Sequence, residues 1–234
     1  IYEDATGDTL SSTAIETLIN DSEWSRVDIT FTSTTSSTIR CIYTALTAGD
    51  YFYLWGAQLE AGSYPTSYIP NHSGGSVTRG EDVCEGAGDV NTFNSTEGVL
   101  YAEVSLNLLT PNMYIQISDG TYSNRVAIIN NNASSVWRVF YRVNGVSQID
   151  ASETGLNVFE TNKIAISWKL NEFKFYVNGV KVTQVNSGSV NPVNTFNTLE
   201  FKDIIGNNFY GNAKQLLVFP NALSDADCIT LTTL

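Results

Sequence analysis

Residues 173–182, FKFYVNGVKV, carry the pattern that decides the fold of this 234-residue chain. Aromatic and β-branched residues, which favour strands, stand on both sides of Asn178-Gly179. An Asn-Gly pair accepts the positive φ angles of a two-residue type I′ turn, which suits the twist of an antiparallel hairpin. The segment therefore predicts two adjacent antiparallel strands joined at Asn178-Gly179.

The same pattern recurs before this hairpin. A second pair, Asn144-Gly145, follows the strand-like run WRVFYRV at 137–143. In this part of the chain only residues 224–231 look helical, with Ser224 and Asp227 as an N-terminal capping pattern. Many strands at short spacing, without alternating helices, predict an all-β fold, with an antiparallel β-sandwich over residues 89–234. The further predicted strands lie at 99–106, 113–118, 124–129, 136–143, 163–170, 199–204 and 211–219.

Two segments of this region resemble a known fold family. KIAISWKLNEFKFYVNGVKV (163–182) and YGNAKQLLVFPNALSDADCITL (210–231) are similar to concanavalin-A-like, laminin-G-type lectin and glucanase domains. The recurrent parts are the FxxYVNGxxV hairpin and the FPNALSDAD turn. The resemblance implies a concanavalin-A-like sandwich but says little about activity, because this fold hosts lectins, hydrolases, lyases and inert spacers.

The N-terminal part of the chain follows a different pattern. Residues 26–32, 37–45 and 51–60 predict three strands. The segment WGAQLEAGSYPTSYIP (55–70) then predicts the end of a core strand and an ordered loop that docks back on its domain. Trp24, Trp55 and Trp168 each lie within an apolar alternation, so we expect all three in hydrophobic cores.

The segment at 55–70, together with WSRV at 24–27, resembles the closing part of a carbohydrate-binding-like jelly roll. That element recurs in tail and other structural proteins of tailed bacteriophages. The resemblance implies the C-terminal part of a jelly roll over residues 1–70, followed by a Ser- and Gly-rich linker over 71–88. We expect this jelly roll to be incomplete, with its apolar face covered by another subunit or another part of the polypeptide.

Charge and composition exclude several classes of protein. The 24 acidic and 12 basic residues give a net charge of −12, which repels phosphate backbones and anionic membranes. No Lys or Arg cluster is visible, and no run approaches the roughly 20 apolar residues of a membrane span. We therefore expect no nucleic-acid partner and no membrane insertion, whereas neutral glycans are indifferent to this charge.

The three cysteines, Cys41, Cys84 and Cys228, are widely spaced among apolar neighbours. Their spacing matches neither a disulfide framework nor a CxxC metal site. Reduced core cysteines are one interpretation. A Cys84–Cys228 bridge that clamps the ends of the second module is the other.

Catalytic patterns are missing from the sequence. His72, the only histidine, lies in the predicted linker, which argues against a histidine-dependent triad or a zinc enzyme. A retaining glycosidase requires two carboxylates about 5 Å apart, and the ExDxxE string of the glucanases that the sandwich resembles does not occur. We therefore expect a protein that is not an enzyme, with a polysaccharide depolymerase as an alternative.

Glycan binding is the function that remains to be considered. In glycan sites, aromatic faces stack on sugar rings while polar side chains form hydrogen bonds with the sugar hydroxyls. The candidate residues are Trp137, Arg138 and Tyr141 on one strand, Asn131 in the loop before it, and Asn208 and Tyr210 in a later loop. The alternative for Trp137 and Tyr141 is that they share one strand face with Val139 and fill the core. We expect no cofactor except a possible structural calcium ion, for which Asp119 and Asp203 are the candidate ligands.

Together these patterns predict a structural or adhesion protein of a bacteriophage virion, as a fibre, spike or tail component on the particle surface. Its lectin-like domain would bind host-surface glycans, and its partners would be other virion proteins. By analogy with phage fibres, we expect the chain to form a homo-oligomer of three copies. The alternatives are a capsid or tail decoration protein that binds no glycan, and the depolymerase.

Overall fold

The computed structural model divides the chain into two compact units, Ile1–Gly80 and Glu81–Leu234. The division falls within the linker predicted at 71–88. The structure describes all residues except 1, 4–8, 15–17, 21, 33–38, 41, 43–48, 50, 63–64, 73, 79–86, 110–111 and 131–134. In the described part, no helix is long and apolar enough to cross a membrane.

The described residues of the second unit form ten strands in two five-stranded sheets. Numbered after the two short strands of the first unit, β1 (Tyr2–Glu3) and β2 (Ile39–Arg40), they are β3 (Gly98–Leu106), β4 (Met113–Ser118), β5 (Arg125–Asn130), β6 (Val136–Val143), β7 (Val146–Thr154), β8 (Asn162–Lys169), β9 (Glu172–Val177), β10 (Val180–Val185), β11 (Thr198–Glu200) and β12 (Gly211–Phe219). Sheet A has the strand order β10-β9-β8-β3-β12, and sheet B has the order β11-β4-β5-β6-β7, with every neighbouring pair antiparallel. The predicted all-β class and antiparallel β-sandwich are thereby confirmed.

Both Asn-Gly turns have the predicted geometry. Asn144 and Gly145 have φ angles of 47° and 82° between β6 and β7, and Asn178 and Gly179 have 47° and 80° between β9 and β10. Positive φ at both central positions is the mark of a type I′ turn. These two turns set the register of their hairpins.

The core lies between the two sheets, and the two-residue period of each strand decides which side chains enter it. On β6, Trp137, Val139 and Tyr141 point inward and are fully buried. The Tyr141 ring stacks on Trp168 of β8, with ring centroids 5.9 Å apart. The residues between them on β6, including Phe140, therefore lie on the outer face of sheet B.

The outer face of sheet A is covered by the single described helix, α1 (Asp225–Thr232). It begins as predicted after Ser224, whose hydroxyl accepts a hydrogen bond from the Asp227 N–H. Cys228 of α1 is a buried free thiol, and burial raises its pKa to about 11. Cys228 is therefore a reduced core cysteine, and the alternative Cys84–Cys228 bridge is not formed; Cys41 and Cys84 lie outside the described residues.

The first unit contains a two-residue antiparallel ladder between β1 (Tyr2–Glu3) and β2 (Ile39–Arg40). The predicted strands at 26–32 and 51–60 are wrong, because the described residues there pair with no neighbouring strand. Of the strand predicted at 37–45, the described residues contain only β2. The partial jelly roll stays a prediction.

Two of the three tryptophans predicted to be in cores are on the surface. Trp24 is 72% exposed and Trp55 is 69% exposed, whereas Trp168 is fully buried. An apolar alternation buries side chains only where a second layer packs on that face. Among the described residues of the first unit, no second sheet supplies one.

The segment at 55–70 folds back on itself, whereas its docking on a domain stays a prediction. Thr66 donates from its N–H and its hydroxyl to the Glu60 carboxylate, at 2.6 and 2.7 Å, and the Ile69 N–H donates to Gln58 Oε1 at 2.8 Å. Arg26 Nη2 donates to the Thr66 carbonyl at 2.5 Å. The WSRV and WGAQLEAGSYPTSYIP segments are thus joined in one local structure.

Candidate functional site

Three arginines meet on the outer face of sheet B. In the β5–β6 ladder, Arg125 lies opposite Arg142, Ala127 opposite Phe140, and Ile129 opposite Arg138. Side chains directly opposite in an antiparallel pair share a face of the sheet. We call this surface the arginine face; it is formed by Tyr114, Gln116, Arg125, Arg138, Phe140 and Arg142.

Arg125 is the buried centre of this face, with only 3% of its surface exposed. Its guanidinium carbon lies 4.6 Å from the ring centroids of both Tyr122 and Phe140 and 5.6 Å from that of Tyr114. Cation–π attraction to three rings partly replaces the lost hydration. Burial nevertheless lowers the pKa of Arg125 from its ordinary value.

The hydrogen bonds of Arg125 are incomplete. Its Nη1 donates to Gln116 Oε1 at 3.3 Å, which directs the amide oxygen of Gln116 toward the guanidinium. Arg125 Nε and Gln116 Nε2 are both buried and have no hydrogen-bond partner among the described residues. A buried polar group without a partner costs about 1–3 kcal/mol. The centre of the arginine face therefore holds two donors that need an acceptor.

The other two arginines differ in their charge partners. Arg138 donates from Nε and Nη2 to the two carboxylate oxygens of Asp150, at 2.6 and 2.5 Å. Arg142 is partly exposed, has its guanidinium carbon 4.8 Å from the Phe140 centroid, and donates from Nε to Ser147 Oγ. Within the described residues, neither Arg125 nor Arg142 forms an ion pair. Two positive charges of this acidic chain thus share one face without a contact ion pair, while the charge of Asp203 acts on Arg125 from nearby.

A surface loop at 119–124 brings an aromatic ring to this face. Tyr122 contacts the Arg125 guanidinium and is 38% exposed. Burial, and next the charge of Asp203, raise the pKa of Tyr122. Asp203 belongs to the turn at 201–210, so this second loop also reaches the edge of the arginine face.

Trp137 and Tyr141 do not face this surface. Both are fully buried between the sheets, so neither ring has a face free for a sugar. The Tyr141 hydroxyl donates to the Ser95 carbonyl at 2.7 Å and accepts from the Asn191 N–H at 2.9 Å. The alternative interpretation, that these rings fill the core, is correct, because residues at i and i+2 of β6 share its inner face.

The remaining predicted residues are dispersed. Arg138 lies on the opposite side of β6 from Trp137 and is held by Asp150. Asn208 pairs with Lys202 through the backbone in the turn at 201–210, and Tyr210 is exposed at its end. Asn131 lies outside the described residues. The predicted cluster is therefore divided by the sheet.

Sequence reasoning missed Arg125, Arg142 and Tyr122. The expectation that the chain contains no arginine cluster is wrong, because the β5–β6 register places distant positions side by side. The continuous apolar run of β5 gives no alternation that marks Arg125 as outward. In β6, Arg138 and Arg142 alternate with buried side chains, which places these two arginines on one face of the strand.

The two calcium candidates have occupied carboxylates. Asp119 accepts hydrogen bonds from Thr121 and from Asn124 Nδ2. Asp203, which is buried, accepts from the N–H groups of Ile205 and Asn207 and from Asn207 Nδ2. The described residues contain no group of three or more His, Cys, Asp or Glu that could hold a metal ion. Calcium binding stays a prediction.

Comparison with known proteins gives structural matches only. No protein-family model matches the chain, and no curated protein matches it in sequence. The CBM40 module of the Ruminococcus gnavus IT-sialidase has a TM-score of 0.52 at 13% identity, covering 67% of this chain and 98% of that chain. The same module bound to α2,3-sialyllactose has a TM-score of 0.52 at 14% identity, covering 67% and 97%.

A leech intramolecular trans-sialidase complexed with 2,7-anhydro-Neu5Ac matches with a TM-score of 0.51 at 16% identity, covering 66% of this chain and 27% of that chain. At these identities the likeness concerns the fold. The sandwich therefore shares its fold with these neighbours, of which the first two are carbohydrate-binding modules.

Proposed function

We propose that the sandwich is a glycan-binding module and that the arginine face is its binding surface. The observation that carries this proposal is the pairing of an exposed aromatic ring, Tyr122, with two guanidinium groups that lack ion-pair partners, Arg125 and Arg142. Sugar sites combine an aromatic face with a few fixed polar groups. The fold shared with a module that binds sialyllactose supports the proposal.

Binding without cleavage is the expected chemistry. Two carboxylates close to the arginine face are already engaged, Asp150 by Arg138 and Asp203 by the N–H groups of its own turn. A glycosidase needs one carboxyl group as a proton donor and another as a nucleophile or base. Neither Asp150 nor Asp203 is free for such a role.

The setting that we propose is the surface of a bacteriophage particle, with the chain as part of a fibre, spike or tail that contacts host-surface glycans. The two N-terminal segments that resemble phage structural proteins support this setting, because Arg26 and Thr66 join them in one local structure. We expect other virion proteins as partners and a homo-oligomer, with three copies as the working hypothesis. Many copies would multiply a weak affinity at each site.

One observation favours the alternative role as a decoration protein. Large aromatic side chains of the first unit are exposed, and such patches are typical of protein contacts. Packing against a neighbouring virion protein would bury them without any glycan. The exposed aromatic residues are Trp24, Tyr51, Tyr53 and Trp55.

A glycan array probed with a multimerised form of the full chain tests the proposal. We expect binding to at least one glycan, at least tenfold weaker for Tyr122→Ala and unchanged for Phe159→Ala, an exposed aromatic residue outside the arginine face. Absence of binding by the folded multimer would overturn the module assignment in favour of decoration. New reducing ends in any bound glycan would indicate a depolymerase instead.

A further inference from the structure

The centre of the arginine face offers hydrogen-bond donors and positive charge but little acceptor capacity. Arg125 Nε and Gln116 Nε2 are buried donors without partners, and Arg142 stands beside them in the ladder. The amide oxygen of Gln116 is already occupied by Arg125 Nη1. A ligand group that fits this surface must accept hydrogen bonds.

We propose that the glycan bound here carries a carboxylate, which is held at the surface by Arg142 and attracted by the charge of Arg125 opposite it in the ladder. The inference rests on the proposed function, since it names the class of sugar for the same site. A guanidinium matches a carboxylate in shape and donates two parallel hydrogen bonds to it. Acidic sugars, such as sialic acids and uronic acids, are therefore the favoured ligands.

Charge is the reason to prefer a carboxylate over a hydroxyl group. Arg125 and Arg142 lie directly opposite each other, where like charges are unfavourable. A hydroxyl oxygen would accept a hydrogen bond from Arg142 but leave this repulsion unchanged. A carboxylate accepts from Arg142 and offsets part of the repulsion at the same time.

The surroundings limit the ligand to isolated acidic groups. Asp150 lies on the same face as Arg142, Asp203 lies beside Tyr122, and Glu200 is opposite Gln116 in the β11–β4 ladder. These carboxylates, and the net charge of −12, repel a densely charged polymer. A glycan with one carboxylate per acidic sugar fits better than a sulfated polysaccharide or a nucleic acid.

The two arginines differ in how much of each side chain is exposed to solvent. Arg142 is partly exposed, whereas Arg125 lies beneath the ring of Tyr122. The ligand carboxylate would thus contact Arg142 from the solvent side, while Arg125 contributes its charge from the buried side. Arg142 is the variant of choice, because its replacement leaves the buried centre intact.

The test is a calorimetric titration of the full chain with matched acidic and neutral probes. Sialyllactose is compared with lactose, and trigalacturonic acid with its carboxyl-reduced form, so that the two sources of carboxylate are distinguished. We expect at least one acidic probe to bind tenfold or more tightly than its neutral partner. Arg142→Gln should remove this difference and Arg142→Lys should reduce it, because lysine keeps the charge but loses the planar fork.

Lys214→Gln is the control for loss of a positive charge, because Lys214 is 62% exposed and lies on β12 of sheet A. We expect it to bind like the unchanged protein. If each acidic probe binds no more tightly than its neutral counterpart, and any array hit binds equally well after its carboxyl groups are reduced, this inference is overturned. The assignment as a glycan-binding module would then still stand. If no glycan binds, on the array or in titration, both this inference and the assignment as a glycan-binding module are overturned.

Discussion

Arg125 on β5 lies directly opposite Arg142 on β6, and both guanidinium groups contact the ring of Phe140, with centroid distances of 4.6 and 4.8 Å. Like charges at directly opposite positions normally destabilise a sheet. The negative face of an aromatic ring attracts cations and is strongest where water is excluded. Phe140, which is buried, therefore stabilises an arrangement that the charges alone would oppose.

Removal of this ring should be costly. We expect Phe140→Ala to lower the free energy of unfolding of the sandwich by about 3–5 kcal/mol, the usual cost of a Phe-to-Ala change in a core. Urea unfolding followed by tryptophan fluorescence measures it, because Trp137 and Trp168 of the sandwich are buried while Trp24 and Trp55 are already exposed.

Phe159→Ala is the matched control for that experiment. Phe159 is 51% exposed, so its removal should change the free energy of unfolding by no more than about 0.5 kcal/mol. If Phe140→Ala were as harmless as this control, the ring would not be supporting the two arginines.

The hydroxyl of Tyr141 gives a second prediction. Tyr141→Phe keeps the ring but removes the donor to Ser95 and the acceptor of the Asn191 N–H. We expect the free energy of unfolding to fall by about 1–3 kcal/mol, because a buried N–H is left without a partner. Glycan binding by the folded variant should be unchanged. A loss of binding without a loss of stability would return Tyr141 to the binding site.

Strand positions in the sandwich were predictable because their determinants are local. The Asn-Gly pairs fix the turns at 144–145 and 178–179, and the predicted bounds of β4, β6 and β12 agree with the structure. β11 ends at Glu200, four residues before its predicted end, because Asp203 binds the N–H groups of the following turn. The sequence predicts no separate strand at β7, because most of the residues there are polar.

The binding surface was not predictable in the same way. Aromatic content pointed to Trp137 and Tyr141, but the inward phase of β6 buries both rings. The pairing of Arg125 with Arg142 depends on the β5–β6 register, which a single strand does not reveal. Trp24 and Trp55 show the same dependence, since burial requires a layer that their own segments do not contain.

Calcium binding at Asp119 and Asp203 is open to a direct measurement. Their carboxylates already accept hydrogen bonds from their own turns, so a bound ion would have to replace these N–H donors. We therefore expect the melting temperature to be the same in EDTA and in millimolar calcium. A calcium-dependent rise that Asp203→Asn abolishes would establish a structural ion instead.

Acid should selectively weaken the contact between α1 and sheet A. The Asp225 carboxylate accepts hydrogen bonds from Lys174 at 2.7 Å, Lys181 at 2.6 Å and the Tyr176 hydroxyl at 2.8 Å. These bonds, that from Lys174 foremost, hold the pKa of Asp225 well below its ordinary value. Burial alone would lower the pKa of Lys174, but the carboxylates of Asp225 and Glu172 together raise it.

A lowered carboxyl pKa stabilises the folded state at every pH above the unfolded value of about 4, and this contribution is lost as the pH falls below it. Asp225→Asn should therefore be less stable than the unchanged protein at pH 7. The difference should shrink between about pH 4 and pH 2, where the Asp225 carboxyl takes up a proton in the unfolded chain but stays ionised in the folded one. Urea unfolding across this pH range measures it, with Glu160→Gln, an exposed turn residue, as the control. A difference that stays constant down to pH 2 would mean that Asp225 acts through packing rather than through its charge.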